Sequence, residues 1–301
     1  RNGPSASLAG HQLGQDFAGL AGWNMCHGRV VPGFPQHPHR GFETITFARQ
    51  EIVDHSDSLG TTARFGRGDL QWMTGGSGIV HAERFPLLHE DRPNPLQLLQ
   101  IWLNLPSADK LVDPYFTMLW DHGIPKVEYL DETGAATTLT VIAGTLADVQ
   151  PVSGPPDSWA SRPETDVAVW NIRMDSGARW TLPPAAGADT ARTLYLFEGP
   201  SVEIGGQVVP ASTGASLEPN ESVDLVAGAA EVELMLLQGR PIAESVAQYG
   251  PIVMNTQDEV QQTFRDYQET QFGGWPWPTD DPVHLDAEGR FAAHADGRHE
   301  A

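Results

Sequence analysis

The feature that most constrains this chain is its punctuation. Glycine (31) and proline (24) together make about 18% of the 301 residues, against roughly 12% in average usage. They are spread along the whole chain and not gathered into one linker. Only short apolar runs fit between them. Leu99, Ile101, Leu103 and Leu105 alternate with Gln100, Trp102 and Asn104, the period-2 spacing of a strand with two unlike faces. The runs at 44–47, 69–73, 138–142, 167–172, 193–197 and 231–237 read the same way. A chain interrupted this often favours many short strands, which predicts an all-β sandwich or barrel. One helix is predicted. Thr256 and Glu259 fit a capping box, and Val260, Phe264 and Tyr267 then share a helical face. Gly273 and Gly274 end it. A Trp-Pro-Trp-Pro run at 275–278 and a polar tail follow.

The strand at 44–47 is followed later by one at 98–105, and the strand at 193–197 by one at 231–237. Each later strand ends at a proline turn, near Pro106 and near Pro241. This weak repeat predicts two similar β units. We set residues 1–130 as a first, metal-binding barrel, 131–255 as a second barrel without histidine ligands, and 256–301 as helix and polar tail. The Pro- and Gly-rich stretch 151–163 is read as a long loop inside the second unit. Eighteen basic against 39 acidic residues leave a net charge of −21. Such a surface repels phosphate backbones and anionic membranes, so direct nucleic-acid binding and membrane adhesion are not expected. No run approaches the roughly 18 apolar residues of a membrane helix. One cysteine, Cys26, excludes an internal disulfide framework and any multi-cysteine metal site. No signal-like segment is visible, and a cytoplasmic location is expected.

Histidine is informative by where it is missing. Eleven occur, and none lies between 123 and 283. If both units are barrels, only the first can hold a histidine site. There His37-Pro38-His39 is an H-x-H pair and His81-Ala82-Glu83 an H-x-E pair. On a strand, residues i and i+2 share a face about 6.6 Å apart, and neighbouring strands lie about 4.8 Å apart. Two such pairs facing one interior bring four side chains to one ion. Three neutral imidazoles and a carboxylate suit Fe, Mn, Ni, Cu or Zn and leave about two octahedral positions open. Pro38 counts against a central strand. His55-Ser56-Asp57 is a further i, i+2 pair, but its Ser- and Gly-rich surroundings favour a side chain capping a turn. Glu43, four residues after His39, is either a ligand or an acceptor behind one. Cys26-His27 is either a redox-sensitive spot or a small buried hydrophobe with its neighbour. His284, His294 and His299 are read as solvated, the acidic stretch 128–132 as an exposed face, and Trp275 and Trp277 as packing anchors.

The stretch His37-Pro38-His39-Arg40-Gly41-Phe42-Glu43-Thr44 resembles a signature of the pirin family of the cupin superfamily. So does Gly68-Asp69-Leu70-Gln71-Trp72-Met73-Thr74-Gly75-Gly76-Ser77-Gly78-Ile79-Val80-His81-Ala82-Glu83. Gly239-Arg240-Pro241-Ile242, the run 249–256 and Asp266-Tyr267-Gln268 are also similar to pirins. The resemblance implies two cupin-type jelly-roll β-barrels side by side, with a C-terminal helix and tail. It implies one metal site, with ligands at His37, His39, His81 and Glu83, the set that spacing reaches separately. Iron is the family's commonest metal, with Mn, Ni, Cu or Zn as alternatives. The wider cupin pattern puts its acid at Glu43, but it also asks for Gly where Gln50 stands and Asn where Phe85 stands. The pirin arrangement puts the acid at Glu83, and the sequence leaves the two open.

Some bacterial pirins resemble quercetin 2,3-dioxygenase in activity, which implies an oxidoreductase acting on a flavonol or similar phenol with O₂. Glu83 would be a ligand and also the base that takes the hydroxyl proton. Arg40, Phe42, Trp72 and Met73 are candidates to line the pocket. A eukaryotic relative acts as an iron-dependent transcription cofactor. That implies the alternative of a non-catalytic redox sensor or regulator with a protein partner. A metal-free scaffold is the third reading.

Overall fold

The structure is a computed structural model and describes residues 32–89, 91–280, 282, 284 and 289–301. Cys26 and His27 lie outside the described residues. The chain divides into two compact units. One reaches Asp121 and resumes over Glu244–Ala301; the other is His122–Ala243. The first stretch supplies β1 (Gly33–His39), β2 (Phe42–Gln50), β3 (Ile52–Asp57), β4 (Thr62–Gly66), β5 (Asp69–Thr74), β6 (Ile79–Arg84), β7 (Gln97–Asn104) and β8 (Tyr115–Leu119). The second unit holds β9 (Lys126–Leu130), β10 (Ala136–Ala143), β11 (Ala168–Met174), β12 (Arg179–Leu182), β13 (Ala191–Glu198), β14 (Ser201–Ile204), β15 (Gln207–Pro210), β16 (Thr213–Leu217), β17 (Val223–Ala227) and β18 (Val232–Gly239). The chain then adds β19 (Ala247–Tyr249), β20 (Ile252–Met254), α1 (Gln257–Thr270), β21 (Phe291–Ala293) and β22 (His299–Glu300) to the first unit.

Among the described residues each unit is built on two antiparallel sheets, one of six strands and one of four, and the first unit adds the two-stranded sheet β19-β20. The first unit has the orders β1-β6-β3-β4-β21-β22 and β7-β2-β5-β8. The second has β16-β13-β18-β11-β10-β9 and β12-β17-β14-β15. This is the cupin-type jelly roll that the family resemblance implies, and it agrees with the sandwich or barrel expected from many short strands. The β-branched and aromatic run Thr44-Ile45-Thr46-Phe47 lies in β2, buried on both faces, as such side chains favour. The internal repeat is one of pairing. β2 lies antiparallel to β7, and β13 lies antiparallel to β18. The stretch 151–163 runs inside the second unit, with short turns of 3-10 helix at Trp159–Ser161 and Pro163–Thr165.

Helix α1 starts at the predicted cap. The Thr256 side chain accepts from the Glu259 backbone N–H, and Glu259 reaches back to the Thr256 N–H. Its inner face is Val260 and Thr263; Phe264 is 36% exposed and meets the ring of Tyr249 edge-on at 5.4 Å. The helix ends before the glycines, because Gln271 already turns left-handed (φ 50°) and donates its N–H to the Tyr267 carbonyl. Phe272 continues left-handed at φ 47°, and its ring occupies the space a Cβ on Gly78 would need, 2.5 Å away. Gly41 is required for a similar reason. At φ 82° it turns β1 into β2, and a Cβ there would stand 2.1 Å from the Val253 carbonyl oxygen.

The polar tail is not wholly tail. β21 pairs with β4, Phe291 opposite Arg64 and Ala293 opposite Thr62. His294 is nearly buried and bonded to Glu300, and His284 bonds Thr62. Only His299 of the three is exposed, as expected for solvated residues. Three apolar residues are too few to register as a strand period, yet they suffice to cover the open edge of β4.

Candidate metal centre

Among the described residues, strand β1 is the end strand of its sheet, the position in a sheet where a proline such as Pro38 is tolerated. A bulge between Phe34 and His37 resets the register so that His37 lies opposite His81 on β6. The Gln36 N–H in that bulge donates instead to the Asp280 carbonyl at 2.8 Å. His39, two residues on, shares the His37 face. One nitrogen each from His37, His39 and His81 therefore gathers in a group whose atoms all lie within 4.8 Å of one another. Ring centroids are 4.4 Å apart for His37 and His81, 4.6 Å for His39 and His81, and 4.9 Å for His37 and His39.

Two of these imidazoles, His39 and His81, are held neutral. Burial pushes the His39 and His81 pKa values well below the ordinary histidine range, and the neighbouring histidines push the same way. A neutral ring is the ligand form, so no proton competes with a cation. His37 Nδ1 lies 2.8 Å from the Pro35 carbonyl oxygen. It must carry the proton there, which leaves Nε2 with its lone pair for a ligand role. His39 Nε2 and His81 Nε2 face each other at 2.9 Å, and the Nδ1 atoms of both rings are buried without a partner. An ion bonded at roughly 2.1 Å sets its ligand nitrogens about 3–4 Å apart. The donor set and its spacing fit a divalent transition metal.

Glu83 is one alternate residue further along β6. It is buried and stands outside the three-histidine group. Burial raises its pKa, while His55, Gln100 and Arg84 pull the other way. Gln100 Nε2 donates to both carboxylate oxygens, at 3.3 and 3.2 Å, and to Thr46 Oγ1 at 3.2 Å. On β2, Thr46 therefore faces the site, and Phe42 does too, 5.1 Å from the His39 ring. Glu43 has the opposite parity and accepts from Thr74 Oγ1 at 2.8 Å.

His55 is not in a turn but on β3, opposite Glu83. Gln71 Nε2 donates to its Nδ1 at 2.9 Å, so its Nε2–H donates to Asp57 at 3.0 Å. With both nitrogens engaged it is no ligand. Asp57 does cap the turn, accepting from the Leu59 and Thr61 N–H groups. Of the pocket candidates, Phe42 and Met73 share the site's face, Met73 by being two residues from Gln71. Trp72 points to the opposite face. Arg40 is taken elsewhere, by the Ser77 carbonyl, Asp266 and the face of the Phe272 ring. Trp277 is an anchor, its indole N–H on the Asp57 carbonyl. Sequence reading missed Gln100 and Trp102. Trp102 Nε1 donates to Gln100 Oε1 at 3.1 Å, and its ring lies 4.5 Å from Phe42 and 5.9 Å from His39. Their position two residues apart on β7 was the available signal.

Two jelly-roll units, one of them with histidines converging inside it, define a two-domain cupin protein. The family profile described as pirin matches residues 11–103, and that of the pirin C-terminal cupin domain matches residues 169–273. The chain belongs to the pirin family. A Pseudomonas aeruginosa protein that carries the provisional name of quercetin 2,3-dioxygenase is 34% identical over 85% of this chain and 84% of its own. Human pirin is 33% identical over 80% of this chain and 78% of its own. The solved structure of a quercetin 2,3-dioxygenase from Acinetobacter baumannii superposes with a TM-score of 0.71 at 29% identity. It covers 81% of this chain and 80% of that one. No helix among the described residues is long and apolar enough to cross a membrane.

Proposed function

We propose that this protein is a metal-dependent dioxygenase that cleaves quercetin-type flavonols with O₂. His37, His39, His81 and Glu83 would hold one divalent transition ion, iron before Mn, Ni, Cu or Zn. The observation that carries this reading is the convergence of three imidazoles, two of them buried and kept neutral, beside a buried carboxylate. Glu83 is preferred to Glu43 because it follows His81 on one strand face, while Glu43 is turned toward Thr74. When bound, the ion would lower the pKa of a coordinated hydroxyl.

The rest is the work of the chain. Glu83 has a raised proton affinity and stands two residues from His81 on one strand face, so it is the group that would accept a phenolic proton. Phe42 and Trp102 offer aromatic surface beside His39. A single cysteine suits a reducing compartment, and the reading includes a cytoplasmic setting.

The test is aerobic quercetin consumption by metal-free protein reloaded separately with Fe, Mn, Ni, Cu and Zn, beside His39→Ala. Turnover that needs a redox-active metal and vanishes in the variant is the expected result. Stoichiometric metal without turnover would instead favour a redox-sensing or protein-binding regulator. Glu83→Gln with its metal and full turnover would end the base role.

A further inference from the structure

Among the described strands of the first unit, β7 differs in leaving two side chains of its site-facing side exposed. Gln100 and Trp102 are both open to solvent, Trp102 by 42%. Behind them Thr46 and Glu83 are buried. These two side chains separate the buried carboxylate from solvent. The hydrogen bonds there run in one direction. The indole N–H of Trp102 donates to Gln100 Oε1, and Gln100 Nε2 donates to both Glu83 oxygens and to Thr46. Turning the Gln100 amide over would set its NH₂ against the indole N–H and its carbonyl against the carboxylate. The orientation is therefore fixed by its partners at both ends. The Trp102 ring meanwhile keeps an open face, packed on one side by Phe42 at 4.5 Å and edge-on to His39 at 5.9 Å.

We infer that Trp102 is the platform on which a planar phenolic ligand stacks, and that its indole N–H, through Gln100, holds the Glu83 carboxylate in the orientation the metal centre uses. For Glu83 the inference rests on the metal-centre reading; for the platform it does not. Trp102 then has two separable parts. Its ring binds and its N–H positions. Gln100 is a positioning residue, acting on the ion only through Glu83. A neutral donor suits that task, because it directs the carboxylate without neutralising it as a cation would. The arrangement also favours a flat ring over a branched aliphatic ligand, since only a flat ring covers an indole face without displacing Gln100.

The experiment uses Trp102→Phe, Trp102→Leu and Gln100→Leu in the full chain. It reads the visible spectrum and affinity of Co²⁺, and quercetin binding to metal-free protein. Trp102→Phe keeps a ring and loses the N–H. It is expected to bind quercetin within about twofold of wild type. It should also shift the Co²⁺ spectrum in the same direction as Gln100→Leu, with Co²⁺ affinity lowered about tenfold in both. Trp102→Leu is expected to lose at least about fivefold in quercetin affinity as well. A wild-type Co²⁺ spectrum in Gln100→Leu would overturn the positioning role. A wild-type spectrum in Trp102→Phe alone would remove the indole from it. Wild-type quercetin affinity in Trp102→Leu would overturn the platform. If wild-type protein takes up no Co²⁺, the metal-centre reading falls and takes the positioning role with it. The quercetin titration of metal-free protein still decides the platform.

Discussion

The two units of this chain share a strand plan and fill it with opposite chemistry. In the second, β13 and β18 turn Leu194, Leu196, Val232, Leu234 and Leu236 into one apolar cluster with Leu139, Ile172 and Leu225, all at most 1% exposed. In the first, the matching pair β2 and β7 presents Phe42, Thr44, Thr46, Gln100 and Trp102 to an interior that also holds His39, His81, His55, Asp57 and Glu83. Burying polar groups costs stability unless every partner is present. Here Nδ1 of His39 and of His81, Thr44 Oγ1 and Gln71 Oε1 are buried without one. A jelly roll has no need of such an interior, as the second unit demonstrates. The first unit keeps it where a ligand can complete it, and the cost marks the site.

The comparison breaks most visibly at its apolar end. Leu234→Ala in the second unit should cost about 2–5 kcal/mol of stability through lost burial and a cavity. It should leave metal affinity of the first unit unchanged. Denaturant unfolding and a metal titration check the two halves of that statement. Its counterpart is His39→Leu, which replaces a buried imidazole by an apolar side chain of similar size. Metal affinity should fall by more than about a hundredfold, exceeding the loss typical of outer-shell changes. Stability of the metal-free protein should hold or rise, because an unsatisfied buried polar group is gone. A large loss of metal-free stability would show that His39 serves packing first.

Acid should separate the units next. His39 and His81 have folded pKa values below the unfolded value near 6.5. Their contribution is therefore present above about pH 6.5 and is lost as pH falls below it, where only the unfolded chain takes up the protons. Glu83, raised by burial, has the opposite sign. Its contribution is complete below about pH 4.3 and lost as pH rises through its folded value. Between pH 7 and pH 5 two histidines act against this one carboxylate. In the second unit Asp131 is held at about 2, first by the Thr133 hydroxyl and then by backbone N–H groups. Its contribution is complete above about pH 4 and is lost only as pH falls through about 2. Hydrogen exchange at pH 7 and pH 5 should show protection falling in β1, β3 and β6 while β11 and β18 hold. Equal loss in both units would contradict the assignment of neutral, buried imidazoles.

How much of this was readable depends on range. Alternation along Leu99 to Leu105 is local, so the strand was legible. The H-x-H and H-x-E pairs were legible because a period of two places both members on one face. What Gln100 does was not, since the alternating leucines draw attention to the other face and its partners Thr46 and Glu83 come from distant strands. The sequence around His55 reads as a turn because Ser58 and Gly60 do make the turn that follows it. The bulge in β1 left no trace in a chain already rich in proline. Nor did the sequence reveal that residues from Glu244 onward belong with the first unit, because no local signal states which sheet a late segment joins.

That last point yields the smallest effect and the finest test of the comparison. Helix α1 was legible from its cap alone, yet its membership in the first unit was not. Thr256→Ala removes the side-chain acceptor for the Glu259 N–H while leaving Glu259 on the Asn255 and Thr256 N–H groups. The expected cost is about 1 kcal/mol. It should fall on the first unit, because Val260 and Thr263 are buried there and Arg40 beside His39 is tied to Asp266 of the same helix. Exchange should rise at the N-terminal turn of α1 and in β20, against which the helix packs. Protection in β13 and β18 should stay at its wild-type level. A loss that appeared equally in β13 and β18 would mean that the helix stabilises both units. The polar interior would then owe its tolerance to the whole chain and not to the strands that enclose it.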